Sequence, residues 1–116
     1  MRNYKELKVW EKAHDITLNI YEITKDFPSE EKFGIISQLR RASSSIPTNI
    51  AEGCGFNSDK QFVRFLSIAL GSASEVDYLI FLALELNFLE LEQYNSLNSE
   101  IKEVKKMLYV FIEKLT

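Results

Sequence analysis

The sequence predicts an all-α fold: one domain over residues 1–116, folded as an antiparallel up-down-up-down four-helix bundle. Three observations carry this expectation. Apolar residues recur three and four apart in four successive segments, only two prolines and four glycines punctuate 116 residues, and no stretch alternates as a strand would. The helices are expected at about residues 7–27, 30–54, 58–86 and 91–115, joined by short links.

The first segment places Val9, Ala13, Ile16, Ile20, Ile23 and Phe27 on one stripe, with Trp10, Leu18 and Tyr21 off it. Pro28 lacks a donor and disfavours a helical Phe27, so the helix is expected to stop there. Ser29 is then read as the cap of a second helix, with Glu30 and Glu31 at its positive end. Its core face is Ile36, Leu39, Ser43, Ile46 and Ile50, and Gly53 and Gly55 are read as a left-handed exit. Pro47 sits inside it and leaves the Ser43 carbonyl without its helical donor, so a kink or a nearby serine hydroxyl is expected to compensate.

Ser58 and Gln61 resemble a capping box opening the third helix. Its seam is Phe62, Leu66, Ala69, Ala73, Val76, Ile80 and Ala83, yet Val63, Ile68, Leu70, Tyr78, Leu79, Phe81 and Leu82 make the other faces apolar too. A helix apolar on most sides is buried on most sides, which points to contact with a second subunit. Asn87 is the expected exit. The fourth helix carries Tyr94, Leu97, Ile101, Val104, Leu108, Phe111 and Leu115, with Glu100, Lys102, Glu103, Lys105 and Lys106 as a solvated face.

Composition narrows the function classes. The net charge is −3, so the chain is no strongly basic nucleic-acid binder. Cys54 is the only cysteine, which excludes an intrachain disulfide and fits a reduced, cytoplasmic setting. The longest apolar run, Tyr78 to Leu84, is too short to span a bilayer, so no membrane partner is expected. Glu11 and His14 have the Glu-x-x-His spacing of bundle metal sites, but those need a second pair and the chain has one histidine. Ser43, Ser44 and Ser45 have no base near in sequence, and Gly53-Cys54-Gly55-Phe56 lacks a phosphate-loop lysine. No catalytic residue, metal ligand or cofactor site is therefore assigned.

The stretch QLRRASSSIPTNIAEGCG, residues 38–55, splits when projected at about 100° per residue. Gln38, Arg41, Ser45, Asn49 and Glu52 form one polar stripe beside the apolar seam, while Arg40 and Pro47 point away. Arg41 is placed to pair with Glu75 of the third helix or with Glu52 of a neighbouring segment. Polar stripes of this kind set register and partner choice when satisfied, so assembly is the first reading. The rival is a nucleic-acid surface using Lys5, Lys8, Lys12, Arg40, Arg41 and Arg64.

The run QLRRASSSIPTNIAEG followed by FVRFLSIALGSASEVDYLI, with YKELKVWEKAHDITLNIYEITKDFP before it, resembles the 23S rRNA intervening-sequence protein family, also called four helix bundle proteins. The resemblance covers nearly the whole chain. Two departures remove positive charge: Phe56 stands where the family often has arginine, and Leu70 replaces arginine in its A-R-G-S element. The resemblance implies a bundle assembling into a ring-like homo-oligomer, a pentamer, without enzyme activity or cofactor. It is also similar to the accessory variability determinants of diversity-generating retroelements, which implies nucleic acid, a reverse transcriptase or an rRNA-related species as an alternative partner.

Overall fold

The computed structural model describes residues 2–116, and among them there are four α-helices and no strand. These are α1 (Lys8–Ile23), α2 (Ile35–Cys54), α3 (Asp59–Glu85) and α4 (Leu91–Leu115), with short 3-10 turns at Tyr4–Glu6, Thr24–Asp26 and Ser29–Glu31. α2 packs on α1 and α3, and α4 on α3 and α1, which closes a four-sided core. The body measures 43 × 23 × 20 Å. Its long axis is close to the length of α3, about 40 Å at 1.5 Å per residue.

The heptad-like stripes meet at the centre. Val9, Ala13, Ile16 and Ile20 of α1 are buried with Leu39, Ile46 and Ile50 of α2, as are all seven seam residues of α3. From α4, Leu97, Ile101, Val104 and Leu108 are buried, whereas Tyr94, Phe111 and Leu115 at its ends are partly covered. Phe27 and Phe88 lie 5.5 Å apart, joining the α1–α2 link to the α3–α4 turn. At the α2–α3 turn, Arg2 donates its backbone N–H to the Cys54 carbonyl (3.1 Å) and lays its guanidinium over the Phe62 ring at 4.3 Å.

Several helix ends differ from expectation, each for a local reason. α1 tightens to 3-10 at Thr24, and α2 begins at Ile35, because Pro28 to Gly34 is spent on a turn. Ser29 makes no side-chain cap, and Glu31 Oε1, 3.5 Å from the Ile35 N–H, takes that place. The glycines at the end of α2 are not left-handed: Gly55 has φ −75° and Gly53 is still helical. Gly53 instead permits close packing, since a Cβ there would stand 2.8 Å from Phe62 Cδ1 and 2.9 Å from Phe65 Cβ. Asn87 does adopt φ 64°, and the bonds Phe88 N–H to Ala83 O (2.9 Å) and Asn87 N–H to Leu84 O (3.0 Å) form a Schellman exit.

α2 runs unbroken through Pro47. The carbonyl that Pro47 abandons is satisfied from α1, where Thr17 Oγ1 donates to Ser43 O at 2.9 Å and shares the proton with Ala13 O at 3.1 Å. The serines expected to compensate serve their own turns instead: Ser43 Oγ bonds Arg40 O and Ser44 Oγ bonds Arg41 O, both at 3.2 Å.

Candidate functional site: the polar seam of α2 and the outer face of α3

The α2 stripe lies along its border with α3. Its middle is half-buried and hydrogen-bonded: Asn49 Nδ2 donates to Ser45 O (2.8 Å) and Ser45 Oγ (3.0 Å), and Ser45 Oγ meets Ser72 Oγ of α3 at 2.8 Å. Its ends are open. Gln38, Arg41 and Glu52 are exposed, and among the described residues Gln38 and Glu52 make no side-chain hydrogen bond or ion pair. Arg41 Nη2 reaches Glu75 Oε2 across the seam at 3.3 Å. Both side chains are solvated, so the pair contributes at most about 1 kcal/mol to the single chain.

α3 continues this surface outward. Positions 64, 68, 71, 75, 78 and 82 repeat the inner seam's four-three spacing on the opposite side of the helix. Ile68 is 44% exposed and Tyr78 60%, and a Cβ added at Gly71 would have nothing within 4 Å. Apolar side chains on several faces of α3 give an 18-residue window a mean hydropathy of 1.5, long and apolar enough to cross a membrane, with only one third of it buried. Arg64 stands at one end of the outer seam, over the Phe65 ring at 5.9 Å, and Glu75 at its middle.

The six cations read as a nucleic-acid surface do not converge. Lys5 lies 6.0 Å from the Tyr4 ring, Lys8 rims a groove described below, and Lys12 is ion-paired to Glu103 of α4. Arg40 belongs to the other end of α1, where Nε donates to Thr24 Oγ1 at 2.9 Å and Nη2 to the Tyr21 carbonyl at 3.2 Å. Lys8 and Tyr21 are thirteen residues apart, about 20 Å along the helix. Arg40 also covers the Tyr21 ring at 4.9 Å, so it closes the negative end of α1 rather than facing outward. Arg41 and Arg64 lie on α2 and α3.

His14 is half-buried and stacked on Trp10, with centroids 4.9 Å apart and planes 9° from parallel. Tyr4 meets the same indole edge-on at 4.9 Å, forming an open aromatic pocket of about 330 Å³ with Pro47 and Thr48. Among the described residues no three His, Cys, Asp or Glu side chains gather as metal ligands. Cys54 is 2% exposed; burial raises its thiol pKa, against a smaller lowering by Arg2.

Sequence reasoning missed Thr17, Thr24 and Tyr21 as the partners that tie α2 to α1. Only the two threonine hydroxyls, seven residues and about two turns apart beside the α1 stripe, signalled them.

No curated protein matches the chain. Among solved structures, it is similar to a protein of unknown function from the S23 ribosomal protein family of Bacteroides thetaiotaomicron VPI-5482. That chain is 31% identical, with a TM-score of 0.83 over 90% of this chain and 95% of the other. The family model described as 23S rRNA-intervening sequence protein matches residues 5–110. The chain therefore belongs to the 23S rRNA-intervening sequence protein family.

Proposed function

We propose that this protein is a non-enzymatic, cytoplasmic bundle whose copies assemble into a ring, a pentamer, and serve there as a scaffold or partner-binding accessory. Its helices run up-down-up-down. The pairing of chain ends supports that course: Phe27 meets Phe88 at one end, and Arg2 reaches Phe62 beside the α2–α3 turn.

The outer seam of α3 is the observation that carries the assembly reading. Exposed Ile68 and Tyr78 flank the notch at Gly71, and the open ends of the α2 stripe lie alongside. Apolar side chains at a heptad-like spacing gain by burial against another copy. Unpaired Gln38 and Glu52 then set which copy-to-copy register is satisfied. Light scattering at low micromolar concentration tests this. The wild type is expected at a multiple of 13.5 kDa and Ile68→Glu/Tyr78→Glu at the monomer mass, while a wild-type monomer refutes assembly.

The aromatic pocket favours a second reading, a nucleic-acid accessory role. Tyr4, Trp10 and His14 offer ring faces beside Lys5, which suits stacking of unpaired bases. Trp10 is the sole tryptophan, so single-stranded RNA or DNA should quench its fluorescence at low salt and lose that effect as salt rises. Unchanged fluorescence at low ionic strength removes this reading.

A further inference from the structure

Beside the start of α1, the last turns of α4 leave a groove of about 450 Å³. Its floor is Leu7, Met107, Val110 and Phe111, and the charged side chains that line it are Lys8, Lys106 and Lys114. All three lysines are exposed, and among the described residues none forms an ion pair.

The contrast with the rest of the α1–α4 border is informative. Further along it, a polar cleft is lined by Lys12, Asp15, Ser99, Glu100 and Glu103, where cation and acid neutralise each other. The other α4 lysines, Lys102 and Lys105, are both taken by Asp77 of α3, at 3.5 and 3.1 Å. Among the lysines of α4, the two beside the groove, Lys106 and Lys114, are the ones left without an acid, in a protein whose total charge is −3. An apolar trough of this volume falls in the range of small-ligand sites, which fix orientation through a few polar groups. Here those groups are all of one sign.

We propose that this groove binds a free long-chain carboxylate, its hydrocarbon chain lying along Met107 and Val110 and its headgroup held by the lysines. Lys106 and Lys114 are eight residues apart, about 12 Å along α4, so a chain lying between them reaches a cation at either end. A flexible methionine on the floor adapts to such a chain. Val110 is 41% exposed, an apolar surface that a bound chain covers.

The test uses the full-length wild-type protein with 13C-methyl methionine and sodium dodecanoate below its micellar concentration. Met107 is one of two methionines, so its methyl resonance reports from the groove floor. Saturable binding of one dodecanoate per chain with a shifted Met107 signal is expected, tightening about fourfold for each methylene added between octanoate and dodecanoate. Lys106→Gln/Lys114→Gln should weaken binding about tenfold, since each removed charge costs a share of the headgroup interaction. Val110→Asp should abolish binding. Dodecyltrimethylammonium, with the same chain and the opposite charge, should not compete. Absence of binding, equal affinity for the cationic amphiphile, or binding unaffected by either variant overturns the proposal. The Gln variant sits on exposed rim positions and keeps the core intact, so its loss of binding does not reflect unfolding.

Discussion

Thr17 Oγ1 donates across 2.9 Å to the carbonyl of Ser43, the acceptor that Pro47 strips of its helical donor. One helix thus repairs the ladder of another. Thr17→Val keeps shape and removes only the donor, leaving a buried carbonyl unpaired. It should destabilise by about 1–3 kcal/mol in urea denaturation. In a Pro47→Ala background, where residue 47 again offers an N–H, the same change should cost about 1 kcal/mol less. Equal costs in both backgrounds would remove the link between the two residues.

Arg40 makes the second tie between these helices, bonding Thr24 Oγ1 and the Tyr21 carbonyl at the end of α1. Arg40→Ala is expected to lower stability by about 1–2 kcal/mol, through lost charge-assisted bonds and lost complement to the helix dipole. Arg40→Lys should recover less than half of that, because an ammonium cannot reach both acceptors and cover the ring together. Thermal melts of the three proteins decide it.

Gly53 and Gly71 are both helical and should respond in opposite directions. A methyl at 53 would press on Phe62 and Phe65, so Gly53→Ala should cost about 1–3 kcal/mol by overpacking. At 71 a methyl meets nothing, and alanine should add up to about 1 kcal/mol through helix propensity. The comparison is made in the Ile68→Glu/Tyr78→Glu background, so that subunit contacts do not enter.

Stability should decline at alkaline pH over two successive windows. Cys54 is shifted upward from 9.0 by burial, so its contribution is complete below pH 9.0 and declines as pH rises through the higher folded value. Lys12 is shifted upward from 10.5, first by its hydrogen bond to Glu103 and then by that carboxylate's charge, and its contribution fades above pH 10.5. Stability measured against pH should therefore begin to fall near pH 9, and Cys54→Ala should remove that early part alone. In the native protein the thiol should resist alkylation at neutral pH and react fully once unfolded.

Asn98 Oδ1 is buried with no hydrogen-bond partner. Asn98→Leu removes that unsatisfied acceptor from the flank of the α4 seam and should raise stability by about 1 kcal/mol. A lower melting temperature would overturn this expectation.

Periodicity made the helices legible because each buries one stripe in a common core, and a buried stripe writes itself into the spacing of Phe62 to Ala83 or Leu97 to Leu108. It also exposed the surplus on α3, where Ile68, Tyr78 and Phe81 stay exposed in the single chain. Helix ends were less legible. Ser29 and Glu31 are both good capping residues, and only the turn imposed by Pro28 decides that the carboxylate is the one near Ile35 N. Cross-helix partners were legible least. Whether Arg40 faces water or Tyr21 depends on how α1 and α2 rotate and slide against each other, and that is decided by packing across the interface, not by spacing within either segment. The lysine-rimmed groove was hidden for the same reason, since Lys8 and Lys114 lie at opposite ends of the chain.

Pro47 makes α2 incomplete by itself. With the hydroxyl of Thr17 withdrawn, the helix has a gap in the middle of its ladder, so separating α1 exposes both strays at once. The two helices should therefore open as a single cooperative unit in native-state hydrogen exchange, with amides around residues 17 and 43 sharing one opening free energy. A residue chosen for what it cannot donate thus couples the unfolding of two segments that the chain joins only through a turn.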